Sequence, residues 1–287
     1  MRTTGQFEIH YYPVNFQKFG EPIPLIPFGD IHRSASLCHV EKWHEFLEWA
    51  KKQKNALFLG MGDYDDLVST SERDALARAT LHDQTFQEIE SMYKRHTDRL
   101  IKELSFMKGR LIGLIEGNHY ASFLNGTTST QRMCDALGAK YLGCSAFLRL
   151  SFLCATSPKL NLSLDIWAHH GMGAARLVGG SFNRVQQMAE TAEADIYIMG
   201  HDHKRGALPV NRLRLSGNGQ NMRLVNRKIY LVRSGSFLRG YVPGERSYVA
   251  DGAMSACDLG VVPVMLTPQR VSTKGEEDRW VDIKAIV

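Results

Sequence analysis

A chain of 287 residues, 44% hydrophobic and 23% charged, has room for a substantial core and the make-up of a globular protein. No apolar run approaches the ~18 residues of a membrane helix, and Glu8, His10 and Pro13 interrupt the first twenty residues where a signal peptide would need its apolar core. The formal net charge of +5 is uneven: residues 204–246 hold ten basic side chains and one acid, Glu245.

Five cysteines (Cys38, Cys134, Cys144, Cys154, Cys257) form no C-x-x-C pair and are odd in number, so reduced thiols and a cytoplasmic location are the expectation. The basic segment reads either as a solvated strand-and-loop region or as an attraction for a phosphate-rich partner.

In chain order, Phe7 to Val14 and Ile23 to Phe28 form candidate strands, the second complicated by prolines at 22, 24 and 27. Val40, Trp43, Phe46, Leu47 and Ala50 recur at helical spacing, and Ala56 to Leu59 is a short apolar strand. Ser69-Thr70-Ser71-Glu72 has the capping-box form and predicts a helix start. A longer helix follows, with Phe86, Ile89, Tyr93, Leu100, Leu104 and Met107 on one stripe together with His96, read as a core histidine satisfied by a neighbour. Leu111 to Ile115 is a third buried strand, 121–130 a loop, and Gln131–Leu137 a short helix. Phe147 to Leu153 and Leu160 to Ala168 alternate as strands do. A glycine-rich loop from Gly171 to Gly180 leads to a helix around Arg184–Glu190, and Ala194 to Met199 is another apolar strand. After residue 206 the pattern is all-β, with Leu259 to Leu266 and Trp280 to Ile286 as the last strands. Strand–helix–strand alternation favours a parallel sheet, and the absence of a repeat or linker favours one domain over 1–287.

Five of these strands run into polar residues able to bind a metal. The endings are Asp30 and His32, Asp63 and Asp66, Asn118 and His119, His169 and His170, and His201 and His203. One H-x-H among 11 histidines is a weak signal, but five such endings at the carboxyl ends of strands are not coincidence. Carboxylate, amide and imidazole donors without thiolate suit Mn, Fe or Zn.

Asp30-Ile31-His32, Gly62-Asp63-Tyr64-Asp65-Asp66, Gly117-Asn118-His119, His169-His170-Gly171 and Gly200-His201-Asp202-His203 resemble, in order and spacing, the five motifs of the calcineurin-like metallophosphoesterases. The resemblance spans about 23–206. It implies an α/β/β/α sandwich of two mixed sheets with two divalent ions at one edge, Mn foremost, with Fe, Zn, Ni or Co as alternatives. Carried over by position, one ion takes Asp30, His32 and His203, the other takes Asn118, His201 and a fourth-motif histidine, and Asp63 bridges. By H-x-[PG] that histidine is His169, with His170 the alternative. The ions would supply a hydroxide, His119 would protonate the leaving oxygen, and Asp66 would orient His119.

Three departures bear on function. Tyr120 stands where the family usually has Glu or Asp, Leu67-Val68 replaces the Arg-Gly of Ser/Thr protein phosphatases, and the fourth motif is His-His-Gly. A phosphoprotein phosphatase is thereby disfavoured, and the H-x-H-x-D-H of a metallo-β-lactamase-type hydrolase is missing. The leading expectation is a phosphodiesterase acting on a nucleotide or nucleic acid, with the basic segment, including Lys204, Arg205 and Arg239, meeting phosphate. A small-molecule phosphomonoesterase or cyclic-nucleotide phosphodiesterase is the second reading, and a non-catalytic binding scaffold the third. An oligomer is compatible with the sequence.

Overall fold

Alternation along the strands sorts the apolar residues onto two faces and thereby decides the layering. In the computed structural model, which describes residues 8–156, 161–173, 175–256, 258–273 and 276–287, two mixed sheets pack face to face. The first is built on β2 (Ile23–Phe28), β3 (Leu57–Gly60), β4 (Leu111–Leu114) and β5 (Lys140–Tyr141), all parallel, and is flanked by β12 (Val264–Thr273) and β13 (Glu276–Ala285) in the order β13-β12-β2-β3-β4-β5. The second runs β1 (Ile9–Phe16), β6 (Ser145–Cys154), β7 (Asn161–His169), β8 (Ile196–Met199) and β10 (Arg223–Ser236). β9 (Arg205–Ser216) and β11 (Gly260–Val261) are both joined antiparallel to β10.

Neighbouring residues face opposite ways. Leu57, Leu59, Ile112, Ile166, Ile196 and Ile198 face inward between the sheets. Their neighbours Phe58, Leu111 and Leu114 face helices α1 (Val40–Lys52), α3 (Asp83–Leu104) and α4 (Ser129–Leu137), which supply Trp43, Phe46, Leu100 and Met133. On the far side Trp167, Tyr197 and Met199 meet Val185 and Met188 of α5 (Val178–Thr191). The result is the expected α/β/β/α sandwich. No described helix is long and apolar enough to cross a membrane. Cys38, Cys134 and Cys144 are free thiols, and Cys257 lies outside the described residues.

The prolines of β2 are tolerated because each missing donor falls off the ladder. β12 pairs only with Ile23–Leu25, and β3 only with Leu25–Phe28. With backbone groups alternating sides, Pro24 faces β3 before that pairing starts and Pro27 faces β12 after it has ended. The capping box at Ser69 opens α2 (Thr70–Arg78) as predicted, and a second one, Thr128 with Gln131, starts α4 at Ser129. The C-terminal half differs from the sequence reading. Residues 259–266 are split by Val262-Pro263 into β11 and β12, because proline cannot donate to a ladder. A short helix, α6 (Tyr248–Asp251), interrupts the β region. β9 and β10 form one long ribbon that outruns the sheet, since β8 pairs only with Tyr230–Arg233.

Burial sets the energetic ranking. Phe58 is fully buried between β3 and the helices, whereas Leu213 on the ribbon is 67% exposed. Phe58→Ala should cost about 3–5 kcal/mol of unfolding free energy, and Leu213→Ala should stay within about 0.5 kcal/mol. Chemical denaturation of the two variants checks the contrast.

Candidate metal centre

The carboxyl ends of β2, β3, β4, β7 and β8 meet at one edge of the two sheets, and the backbone there is bent to a common purpose. Among the described residues, non-glycine positive φ values occur at Asp30 (46°), His32 (48°), Asp63 (48°), His201 (73°), His203 (58°) and Ala253. Left-handed backbone costs an L-residue roughly 1–2 kcal/mol. Five predicted ligands in that region mark a place where packing over-determines the chain for the sake of a site.

The loops are zipped together. Asp30 N donates to Gly62 O, Ile31 N and His32 N both donate to Asp63 O, and Gly200 N donates to His170 O. The two sheets are joined across the site, because His201 N donates to Asp30 Oδ2 at 2.9 Å and Ser236 Oγ of β10 donates to Asp30 O. Two glycines are required by close approach. A Cβ on Gly117 would lie 2.0 Å from Asp63 Oδ1, and one on Gly62 would lie 2.5 Å from His170 Nδ1.

Two donor sets result, sharing Asp63. Asp30, His32 and His203 bring donor atoms within 4.8 Å of one another, as do Asp63, His170 and His201. Asp63 Oδ2 lies 3.2 Å from His170 Nε2 and 3.8 Å from His32 Nε2, so one oxygen faces both sets. Asn118 Oδ1 completes the second set, 3.0 Å from His201 Nδ1 and 3.1 Å from His170 Nε2. The ambiguity of the fourth motif resolves on geometry. His170 is buried in the cluster, with Nδ1 2.7 Å from Met61 O, which aims its Nε2 at the site. His169 instead accepts from Gly171 N at 2.7 Å, away from the donors, so the expectation of His169 in the cluster gives way to His170. The strand's pleat is the cause: His169 ends β7, and the next residue turns inward.

The charge is unevenly divided within the cluster. Burial and the neighbouring His170 push His201 down to about 4, and burial with His32 holds His203 well below the usual imidazole range, so both are neutral donors. Burial, with Asp63 adding its charge, raises Asp30 to about 7, against the pull of His170 and His32. For Asp63, burial opposes ionisation, but the charge and hydrogen bond of His170 prevail and hold it below the ordinary carboxylate range. Burial likewise opposes a proton on His170, and the Asp63 carboxylate overcomes it, raising His170 to about 9. Asp30 Oδ1 and both ring nitrogens of His32 are buried without a hydrogen-bond partner. Buried polar atoms are normally paired. Unpaired buried atoms converging with imidazoles and a shared carboxylate are the kind of donor set that fits divalent cations.

Beside this cluster, His119 Nδ1 lies 2.5 Å from Asp66 Oδ1, and the ring of His119 stands edge-on to His32 with centroids 4.8 Å apart. Asp66 is held below the usual carboxylate range by the neighbouring imidazoles of His119 and His32. His119 N also donates to Asp63 Oδ1 at 3.0 Å. His96 behaves as expected of a satisfied histidine, its Nδ1 2.5 Å from Ser34 Oγ, with Arg99 Nη2 donating to the same oxygen.

The predicted phosphate contacts are used within the chain. Lys204 Nζ donates to Ser255 O and Oγ, Arg205 to Val261 O and Asp258, and Arg239 to Leu37 O and Ser36 O. Arg214 and Arg223 sit near the ribbon tip, Arg223 ten residues before Arg233, which is level with the end of β8. At ~3.3 Å per residue that is roughly 30 Å from the cluster. The basic segment thus does not gather at the site mouth. Arg246, not singled out from the sequence, does line the cleft of about 530 Å³ that opens on His32, Asp63, Asp66, His119, His201 and His203. Its place in a basic run was the only signal for it.

Comparison with protein-family models finds no match, and no curated protein matches the chain. The four-layer sandwich with its donor cluster at the strand ends is the architecture that the motif resemblance implies. Solved structures similar to the chain include vacuolar protein sorting 29 from Cryptosporidium parvum (12% identity, TM-score 0.37, 94% of this chain and all of that one). Another is Vps29 complexed with zinc from Entamoeba histolytica (14%, TM-score 0.34, 91% and 98%). A third is a predicted phosphoesterase from Streptococcus pneumoniae (12%, TM-score 0.31, 91% and 99%). The residues of this chain, rather than these likenesses, carry the reading of the site.

Asp202, between the two histidines of the last motif, points away from the cluster and pairs with Arg233 of β10, both almost fully buried. Asp202→Ala leaves that guanidinium uncompensated and should cost about 3–5 kcal/mol, read as a lower denaturation midpoint.

Proposed function

We propose that this chain is a phosphoric ester hydrolase working with two divalent cations, manganese foremost, on a phosphate ester of nucleotide size or smaller. The observation that carries it is the pair of donor sets sharing one Asp63 oxygen, with the His119–Asp66 pair beside them at the cleft. Asp30, His32 and His203 would hold one cation, Asn118, His170 and His201 the other, and Asp63 both. Two cations so placed would lower the pKa of a water and offset the charge of a phosphoryl group under attack.

The chain's own groups do the rest. Met61 O fixes the tautomer of His170, and the shared carboxylate of Asp63 balances positive charge at the centre. With Nδ1 of His119 engaged by Asp66, Nε2 is the atom that carries a proton to the leaving oxygen. Arg246, at the exposed rim, adds a cation facing the cleft beyond its pairing with Asp251, and Leu37 and Leu238 give the cleft an apolar wall. A cleft of about 530 Å³ falls in the range of small-molecule sites, ~300–1,000 Å³. This size, with Lys204, Arg205 and Arg239 engaged elsewhere, favours a small phosphomonoester or diester over a nucleic acid strand.

Variants and a substrate panel test this reading. His170→Ala should lose bound metal by elemental analysis while His169→Ala keeps it. His119→Ala should keep metal and lose roughly 10²–10⁴-fold in turnover of esters with poor leaving groups. A panel of p-nitrophenyl phosphate, its bis-ester, cyclic nucleotides and single- and double-stranded DNA, assayed with manganese, tests the substrate class. On the preferred small substrate Arg246→Ala should raise KM about tenfold with kcat little changed, and steep salt dependence on DNA alone would restore the nucleic-acid reading.

A further inference from the structure

Position 120 is where the motif departs from its usual acid, and the structure places an unanticipated partner there. Arg73, in the first turn of α2, reaches under the loop that carries His119. Its Nη1 donates to Asn118 O at 2.9 Å, Tyr120 O at 2.9 Å and Val68 O at 3.2 Å. Its Nη2 donates to Thr70 Oγ1 at 3.3 Å. The guanidinium carbon lies 3.9 Å from the centre of the Tyr120 ring. One cation therefore grips the carbonyls on both sides of His119 while stacking on the next side chain, and ties them to the segment that follows Asp66. Such a stacked, forked contact is one a lysine cannot reproduce. The capping box of Ser69 and Glu72 fixes the first turn of α2, and so fixes where Arg73 starts.

We infer that Arg73 is a positioning residue: by clamping the 118–120 backbone to the Asp66 segment it holds His119 in register with Asp66 and the leaving oxygen. The Arg73–Tyr120 stack takes the supporting place that an acid would otherwise fill. This rests on the role proposed for His119, and the test separates the two. A loosened clamp costs turnover only where protonation of the leaving group limits the rate, because activated leaving groups depart without it.

Arg73→Ala should retain both cations by elemental analysis. It should lose at least tenfold in kcat on an alkyl phosphate ester, and less than threefold on the p-nitrophenyl analogue, with KM unchanged on both. In a His119→Ala background it should cost nothing further, since the group being positioned is gone. Amide hydrogen exchange should rise in 118–122 and nowhere in β7 or β8. Arg73→Lys should rescue little, and Tyr120→Leu, which removes only the stacking surface, should give a weaker form of the same leaving-group bias should Arg73→Ala not fold. Equal loss on both esters, an additive loss in the His119→Ala background, loss of metal, or unchanged exchange in 118–122 would overturn the inference. If the unmodified protein cleaves no ester the hydrolase reading falls, and the clamp is then decided by the exchange measurement alone.

Discussion

One buried carboxylate organises this molecule. Asp63 accepts His119 N on one oxygen and faces His170 and His32 with the other, and its backbone carbonyl receives the amides of Ile31 and His32. A charge so placed is costly to desolvate, and the structure answers with imidazoles on two sides and a main-chain donor on a third. The room for it is created by Gly117, where any side chain would collide with the carboxylate. Because Asp63 belongs to one sheet's edge and His170 to the other's, that desolvated charge also joins the sheets where their strands end.

A second tier of buried and half-buried charge supports the first. Arg233 answers Asp202 beneath the H-x-H loop, Arg33 and Trp43 both bond Glu103, and Ser34, His96 and Arg99 gather around the acid Asp65. These pairs lie directly beneath or beside the donors. They explain how residues in strained backbone keep their places, since each loop is held at its flanks by groups that would be unpaired if it moved.

Much of this was legible in the residues. Short apolar strands each ending in Asp, Asn or His announce both the sheets and the edge where the site lies, because period-2 burial and chain reversal at a strand's end are local properties. What was not legible is non-local. The choice between His169 and His170 was legible only once the inward face of β7 was known: Leu164, Ile166 and Ala168 face the core, so the pleat carries His170 inward to Met61 O. The basic run 204–246 read as one patch, but pairing of β9 with β10 spreads it along a ribbon, and its site-proximal members bond to loops that the linear pattern could not bring near. Arg73 carried no signal at all, since a basic residue early in a helix is ordinarily a solvated one.

The strained ligands have a consequence for how the chain acquires its site. The donors closest in space are among the farthest in sequence, as with the contact between Asp30 and His201, 171 residues apart. Contacts of that span pay their loop-closure entropy only once both sheets are assembled. The left-handed turns that aim the donors gain nothing until then, so a half-folded chain has no pre-shaped place for a cation. An ion that binds only the finished architecture acts as a clasp on it, adding to stability in proportion to the logarithm of its concentration above Kd. With cations bound as proposed, the equilibrium stability of this chain would rise with metal concentration.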